Sequence, residues 1–152
     1  MNHRSVKKVA KISRETLRII DANLNRLGEG LRFLEELARL ALDDAALTQQ
    51  LKDIRHNMVR VDRELQNQLL QARDAAGDVG ADMEVAGEGG PRDIPEAIVA
   101  NARRVQESLR VLEELAKDTR LGLDTGKFRK ARFSLYTIEK ELMAKVMHQD
   151  KT

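Results

Sequence analysis

The sequence predicts an all-α protein built as two pseudo-symmetric helical hairpins, four-helix-bundle-like, joined by a glycine-rich loop. Three observations predict it: an aliphatic, aromatic-poor composition, apolar residues that recur with helical period, and an internal repeat. Hydrophobic residues make up 41% of the 152 positions and charged residues 34%, with three Phe, one Tyr and no Trp. A core without β-branched and aromatic density suits helices better than a sandwich or barrel, and the length fits one domain.

The repeat is the most specific of the three. The segment beginning at Asn23, NLNRLGEGLRFLEELAR, aligns without gaps on NARRVQESLRVLEELAK beginning at Asn101, with ten of 17 positions identical. One residue of slip then aligns LKDIRHNMVRVDREL from Leu51 on FRKARFSLYTIEKEL from Phe128, pairing Arg55 with Arg132, Glu64 with Glu141 and Leu65 with Leu142. Two copies are too few for a solenoid and imply a pair of related hairpins.

The first element is expected near residues 14–42, where Leu24, Leu27, Leu31, Leu34, Ala38 and Ala41 share one helical stripe. Asp43 or Asp44 can cap a second helix near 45–73, whose stripe is Leu47, Leu51, Ile54, Met58, Val61 and Leu65. Asp93-Ile94-Pro95-Glu96 reads as a capping box opening a third helix near 94–118. Gly122 and Asp124 to Gly126 mark the turn into a fourth near 126–148. The domain layout expected is a basic tail over 1–13 and one helical domain over 14–148. Hairpins at 14–73 and 94–148 flank the loop 74–93 in that domain. The loop holds five of the nine glycines and is long for a compact domain, which fits a functional loop or a linker.

Charge and composition narrow the function classes. Twenty-seven basic and 25 acidic side chains nearly cancel, and the one dense basic cluster, Lys7, Lys8 and Lys11, reads as a solvated tail. With so few aromatics to stack bases, no nucleic-acid partner is expected. No apolar run approaches the roughly 18 residues of a membrane span, and the first residues lack a signal-peptide core. No cysteine is present, so thiolate chemistry is excluded. A cytoplasmic location is the expectation.

Several polar residues border the apolar stripes. Asn23 and Asn101 fall within them, and either satisfy each other or nearby backbone, or line a central pocket. Gly28 and Gly30 replace Gln106 and Ser108 of the other copy, for close helix packing or for the approach of a ligand. Arg26, Glu29, Arg32, Glu35 and Glu36 recur as Arg104, Glu107, Arg110, Glu113 and Glu114. Such spacings fit a solvated charged face. Yet Arg26, Arg55, Arg104 and Arg132 border a seam where guanidinium groups could grip phosphate. His56, Phe133 and Tyr136 share a second face suited to a homodimer contact. Asp74, Asp78, Asp82 and Glu84 are the candidate Mg²⁺ ligands, with solvated loop acids as the plain alternative. No standard nucleotide-binding motif is present.

Together, Asp21-Ala22-Asn23-Leu24-Asn25-Arg26, Glu29-Gly30-Leu31-Arg32, Leu34-Glu35-Glu36 and Leu51-Lys52…Arg55-His56 resemble one known family. Arg73-Asp74…Asp78-Val79-Gly80 and Asn101…Glu107…Leu109-Arg110-Val111-Leu112-Glu113-Glu114 extend the resemblance over roughly residues 18–145. The family is the small hydroxymethylpyrimidine-phosphate kinase domain often fused ahead of thiamine-phosphate synthase, and a standalone form of it is the expectation here. The resemblance implies ATP-dependent phosphorylation of 4-amino-5-hydroxymethyl-2-methylpyrimidine phosphate to the diphosphate, by positioning and charge neutralisation. It implies ATP and Mg²⁺ as cofactors and coupling to thiamine-phosphate synthase. By the same resemblance Arg26, Arg55, Arg104 and Arg73 hold phosphates, with Gly80 beside the nucleotide and Asp74 and Asp78 on Mg²⁺. Asn23 and Asn101 meet the aminopyrimidine edge, and Glu29 orients an arginine or contacts the amine. Ala81 stands where that family suggests a small hydroxyl residue. The alternative reading is a non-catalytic helical interaction or regulatory module associated with thiamine-phosphate synthase.

Overall fold

The computed structural model describes residues 12–83 and 89–149. The basic cluster Lys7, Lys8 and Lys11 and the loop acid Glu84 lie outside these residues. No strand occurs among the described residues, and the fold is all-α, as expected.

Helix α1 spans Arg14–Glu36. Ser13 starts it, its hydroxyl accepting the Thr16 N–H at 3.1 Å. A five-residue π turn, Leu37–Ala41, continues the helix to the first corner. There Asp43 takes a left-handed φ of 49°, which the short polar side chain of aspartate tolerates, and Asp44 caps α2 (Ala45–Val59) through the Leu47 N–H at 2.9 Å. In the second copy Asp93 caps α4 (Ile94–Ala116), with Pro95 in its first turn. A 3₁₀ turn over Thr119–Leu121 ends on Gly122 at φ 64°, and α5 runs over Thr125–Gln149.

The expected second helix is two helices. α2 stops at Val59, and α3 begins afresh at Arg63–Ala72 with Asp62 as its cap, accepting from the Leu65 N–H at 2.7 Å. Arg60 between them is extended, with ψ 121°. The repeat places Glu139 at the position of Asp62. Glutamate caps poorly, and Glu139 instead accepts a hydrogen bond from Gln106 at 3.0 Å, so α5 passes through unbroken.

α1 packs against α4, α2 and α3, α4 packs against α5, and α2 touches α5. The core is the superposition of the two stripes: Leu27, Leu31 and Leu34 of one copy and Val105, Leu109 and Leu112 of the other have no exposed surface. Leu47, Leu51, Leu135 and Leu142 are equally enclosed. Each such side chain contributes about 1.5–3 kcal/mol relative to exposure. Lys145 of α5 reaches Asp44 at the start of α2, tying the far end of one hairpin to the corner of the other. Phe133 and Tyr136 stay about half exposed, ring on edge at 5.7 Å, with the Arg132 guanidinium 5.0 Å from the Phe133 centroid.

Candidate functional site

Gly30 sets the geometry of the α1/α4 crossing. A Cβ there would lie 2.6 Å from Val105 Cγ2 and 3.2 Å from the Asn101 carbonyl oxygen. Only a bare backbone admits so close an approach. Gly28 differs, because its Cβ would make ordinary contact with Val59 at 3.7 Å. Of the two readings open for Gly30, close packing is the one the contacts carry.

Beside that crossing a cleft of about 680 Å³ opens between α1 and α4. Its lining contains Asn23 with Asn101 and Arg26 with Arg104, two pairs of equivalent positions in the repeat, so the cleft straddles the pseudo-two-fold axis. Each asparagine donates an amide N–H to its own helix, Asn23 to Ile19 O at 2.8 Å and Asn101 to Ala97 O at 2.9 Å. These bonds fix the amide planes and leave a second N–H and the carbonyl oxygen for the cleft. Arg92, Arg103, Glu107 and Ser108 complete its polar lining. Among the described residues the lining therefore carries four guanidinium groups and one carboxylate. Among the described residues Arg26, Arg103 and Arg104 form no ion pair with any acidic side chain, so their charge is available to an anionic guest.

Arg55 lies elsewhere. Its Nε donates to Glu35 Oε2 at 2.8 Å, with a longer contact of 3.4 Å from a terminal nitrogen to Oε1. The repeat reproduces this clasp: Arg132 donates to Glu113 Oε2 at 3.2 and 3.0 Å. Both carboxylates are buried, and each pair bolts the two helices of one hairpin together. Burial alone would raise the Glu35 carboxyl pKa. The Arg55 hydrogen bond and charge, with Arg32 and Lys52 nearby, outweigh it and hold the pKa below the ordinary range. Arg55, His56, Arg32 and Gly28 border a separate, smaller hollow of about 470 Å³.

Arg73, at the end of α3, forks onto Asp21 of α1 at 2.9 and 2.7 Å, which pins the last turn of α3 to the bundle. The loop residues act locally. Asp74 accepts the Gly77 N–H at 2.8 Å and sits 3.6 Å from Arg14, and Asp78 accepts the Gly80 N–H at 2.8 Å. No group of three or more His, Asp or Glu side chains that could hold a metal occurs among the described residues. Glu29 is exposed on α1 and does not line the α1/α4 cleft, although its equivalent Glu107 does.

The structure thus brings together Asn23, Arg26, Asn101 and Arg104, and sets Arg55, Arg73, Glu29 and the loop residues Asp74, Asp78 and Gly80 outside that cleft. Sequence reasoning missed Arg92, Arg103 and Ser108. A signal for Arg103 existed: the other copy has the neutral Asn25 there, so the charge is gained at one copy only. Among the described residues no helix is long and apolar enough to cross a membrane.

Comparison with known proteins gives the context. Thiamine-phosphate synthase of Rhodopirellula baltica is 48% identical over 106 residues, 69% of this chain and 28% of that protein. The thiamine-phosphate synthase of Nostoc punctiforme is 34% identical over 139 residues, 91% of this chain and 38% of that protein. That of Thermosynechococcus vestitus is 39% identical over 127 residues, 82% and 34% respectively. The chain therefore spans about a third of the length of these relatives. No solved structure matches it. These relatives overturn the expected ATP-dependent kinase activity, since they are named for a synthase and not for a kinase; they favour the alternative, a module associated with thiamine-phosphate synthase. The pattern of the ThiD2 family matches residues 18–141, and the chain belongs to that family.

Proposed function

We propose that the chain is a non-catalytic helical module that works with thiamine-phosphate synthase and holds a phosphorylated pyrimidine in the α1/α4 cleft. The observation that carries this reading is the cleft's charge: Arg26, Arg103 and Arg104, none in an ion pair among the described residues, surround the two fixed asparagine amides. Guanidinium matches the geometry of a phosphate's oxygens, and an asparagine amide offers both a donor and an acceptor to a heterocycle edge. The phosphate would supply most of the binding energy and the asparagines the choice of ring.

Calorimetric titration tests it, using 4-amino-5-hydroxymethyl-2-methylpyrimidine phosphate and the free alcohol as ligands. The phosphate should bind at least about tenfold more tightly than the alcohol, and Arg104→Gln should remove most of that difference. Equal affinity for both, or no heat at millimolar phosphate, would refute the reading. Adding the chain to a separate thiamine-phosphate synthase checks the coupling, which predicts a changed rate at limiting pyrimidine substrate.

A further inference from the structure

On the other side of the bundle, α2 and the start of α5 enclose a second crevice of about 760 Å³. Its lining again contains equivalent positions of the repeat, Ile54 with Ala131 and Asn57 with Ser134, so it lies where the same pseudo-axis leaves the molecule. Its floor is apolar, formed by Ile54, Met58 and Ala131, and its rim is basic, formed by Arg60, Lys127 and Lys130. We propose that this crevice is a second binding site, for a small organic anion with an apolar ring, such as an aromatic phosphate.

Three observations carry it. The basic rim is a departure from the repeat: Lys127 and Lys130 stand where α2 has Gln50 and Asp53, so one position has reversed its charge. Among the described residues Arg60, Lys127 and Lys130 form no ion pair with an acidic side chain. Among the described lining residues the one carboxylate, Asp124, accepts the Lys127 N–H at 3.2 Å, where it caps α5 and opposes the positive end of the helix. The break after α2 contributes as well, because it takes Arg60 out of the helical path and onto the rim. An apolar floor under a cationic rim recognises an anion that carries hydrophobic surface; a bare ion would leave the half-buried Ile54 wet.

The test is an amide-resolved NMR titration of the full chain with phenyl phosphate, inorganic phosphate and phenol. Phenyl phosphate should shift the Met58, Ala131 and Ser134 amides saturably in the low-millimolar range, and inorganic phosphate and phenol should each bind about tenfold more weakly. The Lys127→Gln, Lys130→Gln double variant should lose about tenfold in affinity at these amides. Arg26→Gln with Arg104→Gln should leave them unchanged while silencing shifts at Asn23 and Asn101. The absence of saturable shifts at the α2/α5 amides would overturn the proposal. So would an unaltered response in the lysine variant, or equal binding of inorganic phosphate. The α2/α5 amides report the second site and those of Asn23 and Asn101 the first, so the two sites stand or fall separately.

Discussion

Replacing Arg55 with methionine should destabilise the protein without touching ligand affinity in the α1/α4 cleft. The side chain of Glu35 is 7% exposed and that of Arg55 is 19% exposed. Removing the cation strands a buried carboxylate, for which buried pairs lose about 3–5 kcal/mol. Partial solvation of Arg55 reduces this to about 2–4 kcal/mol, and at about 3 °C per kcal/mol for a chain of this size the midpoint should fall by about 6–12 °C. Thermal unfolding followed by circular dichroism measures the midpoint, and urea unfolding the free energy. The acid side adds a second readout. The Glu35 carboxyl of the folded protein titrates below its unfolded value. The pair's contribution is therefore whole above the ordinary glutamate range and is lost as pH falls through the lowered folded value. Arg55→Met should flatten that acid-limb decline, because burial then acts on Glu35 without its fork. The double variant Glu35→Gln, Arg55→Met should be more stable than the two single losses added together, by about 1 kcal/mol or more. A single-variant loss below about 1 kcal/mol, or strict additivity, would refute the clasp. Arg132→Met against Glu113 provides the duplicate experiment within the same molecule.

The glycines should separate in sign. Gly30→Ala must move Val105 and the Asn101 backbone and should cost about 1–3 kcal/mol, whereas Gly28→Ala meets only open contact and should gain about 0.5–1 kcal/mol; thermal midpoints of the pair decide it. Asp62→Ala removes the cap that starts α3 and should cost about 1 kcal/mol, read by urea unfolding. Arg73→Lys keeps the charge but loses the fork onto Asp21, and faster amide exchange across α3 with unchanged exchange in α4 is the expected result.

The helices and the duplication were legible because leucine spacing and a ten-of-17 identity are properties of the chain itself. The break at Arg60 to Asp62 was not, because the apolar stripe runs through it from Met58 to Val61 and Leu65, and only the cap chemistry of Asp62 marks it. The site was legible in part. Asn23, Asn101, Arg26 and Arg104 follow from the repeat plus their place beside the stripe. Arg55 has the same signature and a different place, since its neighbour is Glu35, 20 residues away and visible only after the hairpin closes. The fork of Arg73 was hidden for the same reason, its partner Asp21 being 52 residues distant. Periodicity tells which face an arginine borders. It cannot tell which carboxylate arrives there first.

The contact at Gly30 also bears on how a guest would be received. Because the bare backbone of Gly30 rests against the Val105 side chain and the Asn101 carbonyl of α4, the spacing of α1 and α4 beside Asn23 and Asn101 is set by close packing, and no hinge has to swing for the cleft to exist. Such a slot is finished when the chain folds, so little ordering entropy is left for the encounter.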